Sequence, residues 1–432
     1  MYEISKKGYK IPYNDNILKL IKKDLTVKPE VFSDYNQNVV SFPAYRRNKT
    51  HIYIPKFYGI ENYGIPTKID ENLGNNINVS FNGELREYQT DICSKIHNHI
   101  KQNDSCVLSL YCGAGKTICA LYIASLIGKK TIIFVHKEFL LKQWVERISE
   151  FIPNAKIGII QQNKYDIEDK DFVIAMIQTI TSRKYQINDF GFMLFDECHR
   201  LCSRTFSKTL FYVTTKYSLG LSATPERKDG LTKILNWFLG EIITFNSKTE
   251  VKAPSVEIVK AEYENEPIIK YNIVGKINRP NLINQISHDI KRNLLIVDKI
   301  IEYIQSNRKI LLLSERRNQC FIINKLLHDK QISSGIYVGG MTDDELKKSN
   351  KNNIILATYS MCSEGYDNKY IDTLIMATGR SDIEQSVGRI QRQINENDPI
   401  ILDISDSIYT LKNQLNRRIR WYKTKKFNVN KI

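Results

Sequence analysis

Two short stretches hold residue types that together could move a phosphoryl group. Residues 110–117 read Leu-Tyr-Cys-Gly-Ala-Gly-Lys-Thr. Gly113 and Gly115, with Ala114 between them, let backbone N–H groups turn toward a phosphate with no Cβ in the way. Lys116 would bring a cation to the β- and γ-phosphates, and Thr117 a hydroxyl to Mg²⁺. The strict form of such a loop has glycine where this chain has Leu110, so an ordinary glycine turn before a helix is the competing reading. Residues 192–199, Phe-Met-Leu-Phe-Asp-Glu-Cys-His, are an apolar run ending in two acids. At the carboxyl end of a strand beside that loop, Asp196 would hold Mg²⁺. Glu197 would orient or deprotonate the attacking water. Together the two stretches point to ATP as cofactor with Mg²⁺, and to hydrolysis of its terminal phosphate.

A third stretch, Gln385-Ser-Val-Gly-Arg389-Ile-Gln-Arg392, carries cations three residues apart. That spacing predicts Arg389 and Arg392 on one helical face, with Gln385 one turn earlier. Arginines so placed could neutralise charge on the transferring phosphate, from a second lobe that closes on the first. By itself such a face is more often simply solvated.

These groups need strand ends and helix starts to position them. Short apolar, β-branched runs occur at Val107–Leu110, Thr131–Val135, Phe172–Met176, Phe192–Phe195 and Tyr217–Leu221. Helical spacing over Lys116–Ile127 and Glu138–Ile148 lies between them. The alternation predicts a parallel sheet covered on both faces. A polar stretch at Asn246–Pro254 reads as a linker. The pattern then restarts with strands near Val256–Ala261, Ile310–Leu313, Ile354–Ala357, Leu374–Ala377 and Ile400–Ile404. After Ser287, Ile290, Leu294, Val297, Ile301 and Ile304 fall at helix spacing and predict one buried face. The division is an N-terminal accessory domain over 1–80, α/β domains over 81–245 and 246–405, and a basic C-terminal helix or tail over 406–432.

Charge narrows the partner. The chain has 63 Lys and Arg against 47 Asp and Glu, a net +16. The excess favours a polyanion, either nucleic acid or an anionic membrane. No apolar run reaches the length of a membrane-spanning helix, and no signal-peptide or lipidation pattern is evident, so nucleic acid is preferred. The 8 Cys form no CxxC pair, and Cys198-His199 with Cys202 lacks a second ligand pair at zinc spacing. Reduced thiols in an intracellular protein are expected. Two basic regions with aromatics, around Tyr45-Arg46-Arg47 and over Arg417–Phe427, are candidate strand contacts by charge and stacking.

In order along the chain these blocks resemble a superfamily 2 helicase of the DExH kind, from about Leu85 to Asp403. Residues 85–89, Leu-Arg-Glu-Tyr-Gln, resemble the adenine-recognising block, implying that Arg86 and Gln89 contact the nucleotide, with Gln89 reading the base. Val135–Trp144 resembles motif Ia, and Ile177-Gln178-Thr179 the next strand-contacting block. Ser222-Ala223-Thr224 resembles motif III, which in the family couples hydrolysis to movement. Ser314–Arg317 resembles motif IV. Ala357–Asp367 resembles motif V, implying nucleotide contacts from Gly365 and Asp367. His136, Lys137, Gln178, Thr179, Arg316, Thr358 and Ser360 are the implied contacts to the nucleic-acid backbone. The fold implied is α/β, two tandem RecA-like domains with parallel sheets.

LYCGAGKT, SATPERKDG and the run Leu374–Arg380 are similar to the XPB-like group and to the poxviral transcript-release helicase with its relatives in large cytoplasmic DNA viruses. That resemblance implies a monomeric 3′→5′ DNA helicase working with transcription or repair machinery, in host cytoplasm or virion. Three alternatives stand beside it. They are a DExH RNA helicase, a non-catalytic nucleic-acid-binding factor that keeps the fold, and the motor subunit of a restriction system. The retained Lys116, Asp196, Glu197, Arg389 and Arg392 argue against the second. The third lacks an evident nuclease signal.

Overall fold

In the computed structural model the apolar runs become two separate parallel sheets, and the alternation within each strand splits its side chains between two faces. All residues are described except 1, 31–39, 112, 184, 186, 188, 205, 228, 246–251, 274, 364–367, 369, 392–396 and 432. The described chain forms two compact units, Met1–Ser247 and Lys248–Ile432.

The first unit holds an eight-stranded sheet. Its spatial order is Lys164–Tyr165, Ile157–Gln161, Phe172–Met176, Thr131–Val135, Phe192–Phe195, Tyr217–Ser222, Ser105–Leu110 and Ile242–Phe245. Every neighbouring pair is parallel except the outermost pair, Lys164–Tyr165 with Ile157–Gln161. On the strand Thr131–Val135, Ile133 and Val135 enter one core while Ile132 and Phe134 enter the other. Phe192 with Leu194, and Met193 with Phe195, divide in the same way. Helices Glu87–Asn103, Lys116–Ile127 and Glu138–Phe151 cover the first face. Ile177–Arg183 and Lys233–Leu239 cover the second. Because the strands are parallel, their carboxyl ends share one edge.

The N-terminal residues build a small five-stranded sheet of their own, in the order Arg46–Arg47, His51–Ile54, Gly8–Pro12, Glu3–Ser5 and Lys68–Ile69. Its core of Tyr9, Ile11, Ile21, Leu25, Ile52 and Ile54 extends onto Trp237 and Phe238 of the helical layer. Tyr58 meets Trp237 edge-on with ring centroids 5.7 Å apart. Lys56 pairs with Glu71 and, at 2.9 Å, with Asp104. Arg46 is a structural clamp here rather than a free strand contact. Its guanidinium lies 4.1 Å from the Tyr212 ring centroid and donates to Lys208 O at 3.0 Å.

The second unit holds seven parallel strands in the order Gly335–Tyr337, Ile354–Thr358, Ile310–Ser314, Thr373–Met376, Ile400–Ser405, Ser255–Lys260 and Asn428–Lys431. Two sequence expectations change here. The helix after Ser287 spans Ile290–Gln305, but Ile290 and Leu294 are 44% and 37% exposed. The buried face is Arg292, Asn293, Ile296, Val297, Ile300 and Tyr303. Arg292 goes inside because Asp406 meets it through two hydrogen bonds, at 2.8 and 3.1 Å. The residues beyond 406 are no appendage. Helix Tyr409–Thr424 docks by Leu411, Leu415, Arg418 and Tyr422, and Asn428–Lys431 pairs as an edge strand with Ser255–Lys260. Arg418 donates to both oxygens of Asp403 at 2.8 Å and to Arg380 O at 3.0 Å, while the Tyr422 hydroxyl donates to Asp403 at 3.0 Å. A Cβ on Gly379 would strike that guanidinium, so the glycine leaves room for the pair. Part of the cation–aromatic interleaving read as a strand contact, Arg418 and Tyr422, is therefore spent on packing. The linker read at Asn246–Pro254 falls mostly outside the described residues.

Candidate nucleotide site

Three neighbouring strands deliver the predicted chemistry to one edge of the first sheet. Ser105–Leu110 ends in the glycine loop, Tyr217–Ser222 ends in Ser222, and Phe192–Phe195 ends in Asp196-Glu197. Gly113 and Gly115 have φ of 84° and 82°, the left-handed region expected of a loop whose N–H groups converge. Helix Lys116–Ile127 starts directly after, with Gly115 at its N-cap, so its first N–H groups face the loop. Lys116 Nζ folds back to donate to Leu110 O at 3.3 Å.

The loop rests on the block before it. Gln89 Nε2 and the Tyr88 hydroxyl both donate to Ala114 O, at 2.9 and 3.2 Å. Gln89 Oε1 accepts from Arg86 N at 3.0 Å. Gln89 is 4% exposed, and a Cβ on Gly115 would collide with its amide. Both ends of its amide therefore hold protein groups in this structure. Arg86 is exposed and donates to the Tyr88 hydroxyl at 3.1 Å.

Asp196 is held at both oxygens. Oδ2 accepts from Trp144 Nε1 at 2.9 Å, and Oδ1 from Glu197 N at 3.0 Å. Burial, and then the adjacent Glu197 carboxylate, push the Asp196 carboxyl up to about 6, while Trp144 and Lys116 act against the rise. Glu197 itself sits at φ 48°, left-handed for a non-glycine residue, a strained turn of the kind that aims a side chain. Its Oε2 is buried with no hydrogen-bond donor completing it. His199 Nδ1 stands 3.4 Å from that oxygen and 3.1 Å from Ser222 Oγ. Ser222 Oγ in turn accepts from Thr224 N at 3.1 Å, and Arg227 Nη1 donates to His199 O at 2.9 Å. His199 is thus hydrogen-bonded to the Ser222–Thr224 loop and stands close to the acidic pair without a hydrogen bond to it. Burial, then the positive charges of Arg200, Arg227 and Lys116, pull the His199 imidazole down to about 4, so it is neutral at pH 7.

Among the described residues no group of three or more His, Cys, Asp and Glu could hold a metal, which leaves the Cys198-His199-Cys202 cluster without that role. Mg²⁺ asks for less, one or two protein oxygens plus phosphates and waters. A carboxyl destabilised by burial and by a second carboxylate, with a threonine hydroxyl at the start of the neighbouring helix, suits a hard dication bound that way.

The residues proposed to hold a strand divide by exposure. Lys137, Gln178 and Ser360 reach the surface at least partly, at the carboxyl ends of Thr131–Val135, Phe172–Met176 and Ile354–Thr358. Gln178 Nε2 donates to His136 O at 2.7 Å. Thr179 is buried and its hydroxyl accepts from Gln162 N at 3.0 Å, so it braces a turn. His136 and Thr358 are buried too. Arg316 is committed to its own unit, donating to Asn284 Oδ1, Pro280 O and Glu315 O. Gln385 lies in a helix of only Glu384–Val387, and buried Arg389 falls in the tighter turn after it, Arg389 N donating to Ser386 O at 3.2 Å. Arg392, Gly365 and Asp367 lie outside the described residues. Trp144 and the His199–Ser222–Arg227 network were not singled out by spacing. Trp144 meets an acid 52 residues away, which local pattern does not reveal.

A glycine loop, its lysine helix and an acidic strand end on a parallel sheet define a P-loop nucleotide-hydrolase fold. The family model described as "Type III restriction enzyme, res subunit" matches residues 82–227. A protein of Acanthamoeba polyphaga mimivirus, named as an ATP-dependent RNA helicase, is 34% identical over 99% of this chain and 86% of its own length. A protein of Invertebrate iridescent virus 6 named as a helicase is 29% identical over 80% of this chain and 82% of its own. One of African swine fever virus, named as an ATP-dependent RNA helicase, is 27% identical over 80% and 73%. Among solved structures, the Sulfolobus solfataricus SWI2/SNF2 ATPase core in complex with dsDNA aligns at TM-score 0.40 and 15% identity, over 82% of this chain and 93% of that one. The chain belongs to the superfamily 2 helicases of large DNA viruses.

Proposed function

We propose that this chain is an ATP-driven DNA helicase or translocase serving viral transcription, transcript release or repair. The observation that carries the hydrolytic part is the convergence at one sheet edge of the glycine loop, Asp196-Glu197 and Ser222. In this reading Gly113, Ala114 and Gly115 cradle the phosphates through backbone N–H groups, and Lys116 holds their charge. Thr117 and Asp196 hold Mg²⁺, which neutralises phosphate charge when bound. Glu197 orients the attacking water and takes its proton at a carboxylate oxygen. Neutral His199 stands beside that carboxylate and hydrogen-bonds Ser222, which puts the Ser222–Thr224 loop next to the reacting groups. Motif order, not geometry, supports nucleotide roles for Gln385, Arg389, Arg392, Gly365 and Asp367. Arg86 and Gln89 brace the loop.

Exposure supports Lys137, Gln178 and Ser360 as strand contacts, made to the backbone and therefore without sequence preference. The +16 charge supports affinity that falls steeply with salt. Among the described residues no helix is long and apolar enough to cross a membrane. DNA is preferred from the resemblance to transcript-release helicases. RNA is the second reading, favoured by the names of the mimivirus and African swine fever virus relatives. The deciding experiment compares ATPase stimulation by single-stranded DNA, duplex DNA and RNA of equal length, then strand displacement from 3′ and 5′ overhangs. Stronger stimulation by DNA, with unwinding from the 3′ overhang, is expected. Stimulation by RNA alone transfers the assignment to RNA, and none by any polymer removes the motor reading.

A further inference from the structure

Helix Glu138–Phe151 carries a side chain whose one polar atom is aimed at the proposed metal ligand. Trp144 is 1% exposed, packed among Leu140, Leu141 and Ile148 of its own helix and the core of the first sheet. A buried indole needs one acceptor for its N–H. Here that acceptor is Asp196 Oδ2, at 2.9 Å. The strands before the two residues are neighbours: Phe195 pairs with Phe134 in parallel, and Asp196 N donates to Phe134 O at 3.1 Å. Helix and acidic turn therefore leave the sheet side by side. With Glu197 N on Oδ1 at 3.0 Å, each carboxylate oxygen holds one donor. Two donors on two oxygens fix the plane of the group, and each oxygen keeps a second lone pair for a cation.

We infer that Trp144 is a positioning residue for the metal–nucleotide complex, its indole N–H setting the orientation in which Asp196 meets the cation. The inference rests on the reading of Asp196 as the Mg²⁺ ligand. Removing a donor that orients a metal-binding group typically costs 10- to 100-fold in metal affinity. A merely space-filling tryptophan would leave that affinity alone.

The test uses Trp144→Phe in the full chain and a fluorescent ADP analogue, titrated with Mg²⁺ and separately bound in excess EDTA. A 10- to 100-fold rise in the Mg²⁺ concentration for half-saturation is expected, with binding in EDTA unchanged. Equal weakening in both conditions, or an unchanged Mg²⁺ requirement, overturns the proposal. Asp196→Asn separates the two readings. If it too leaves the Mg²⁺ requirement unchanged, the ligand assignment falls. If it abolishes the requirement while Trp144→Phe does not alter it, only the positioning role falls. Should Trp144→Phe fold poorly, the wild-type protein labelled with 5-fluorotryptophan gives the second measurement. Of its 3 tryptophans, Trp144 should shift in the ¹⁹F spectrum when Mg²⁺ is added to the ADP-bound protein. The resonances of Trp237 and Trp421 serve as controls, and a static Trp144 line refutes the inference.

Discussion

Replacing Arg418 by Met tests whether the C-terminal helix is part of the second domain or a detachable nucleic-acid arm. The guanidinium supplies two hydrogen bonds to Asp403 and one to Arg380 O. Asp403 is 0% exposed, and after the substitution the Tyr422 hydroxyl is its remaining partner in that cluster. Breaking a buried pair by removing one member costs about 3–5 kcal/mol, because the other charge stays inside uncompensated. At about 1.4 kcal/mol per factor of ten, that opens the local structure roughly 10²- to 10⁴-fold more often. Amide hydrogen exchange of Ile400–Ser405, and of Ser255–Lys260 paired beside it, reads this directly. Exchange within tenfold of wild type would refute the reasoning. Adding Asp403→Asn to Arg418→Met should restore much of the protection, since the unpaired charge is then gone. Exposed Arg417, one residue away, is the control. Arg417→Ser should change stability by less than about 0.5 kcal/mol. If that face touches a strand, the same substitution lowers the slope of log affinity against log salt by about one.

The remaining predictions concern the first domain. Lys116→Ala and Glu197→Gln should each abolish nucleic-acid-stimulated ATP hydrolysis, and a wild-type rate for Glu197→Gln would remove its role toward water. Gln89→Ala should weaken ATP and GTP turnover by the same factor, because the side chain braces Ala114; a loss confined to ATP would restore it as a base reader. Burial, then Arg200, Lys137 and His199, hold the His136 imidazole down at about 4, as His199 is held by burial and its own cationic neighbours. An unfolded imidazole takes a proton near 6.5, so between about 6.5 and 4 the unfolded chain binds more protons. The stability from these neutral rings is complete above about 6.5 and is lost as pH falls toward 4, by up to about 3 kcal/mol per ring. Asp196, held up to about 6, works in the opposite sense over its own window from about 3.8 to 6. His136→Gln should therefore flatten the fall in thermal midpoint between pH 7 and 5, and an unchanged fall would contradict the buried neutral ring.

Much of this molecule is written in local pattern. The strands Thr131–Val135, Phe172–Met176 and Phe192–Phe195 fall where apolar runs predict them, and helix Lys116–Ile127 matches its expected bounds. These elements bury both faces, so nearly every side chain along them must be apolar and the signal is dense. Weaker signals failed at edges. Lys164–Tyr165 and Asn428–Lys431 are short, exposed edge strands with no run to announce them. The N-terminal sheet uses strands of two to five residues, too short for a period to show. The helix after Ser287 misled for another reason. Its apolar spacing offered one face, and a buried Arg292–Asp406 pair, 114 residues apart, chose the neighbouring one.

The sequence by itself determined the chemistry on offer: glycines with positive φ before a lysine helix, two acids at a strand end, and the order of the motifs that follow. Those are contacts within a few residues, and residue type with spacing suffices to specify them. Tertiary structure decided which polar groups remain available. It spent Gln89 on Ala114, Thr179 on Gln162, Arg46 on Tyr212 and Arg418 on Asp403, and it aimed Trp144 at Asp196. A buried polar group must find a partner wherever the fold supplies one. That partner is set by which strands become neighbours, a property that no local window of the chain contains.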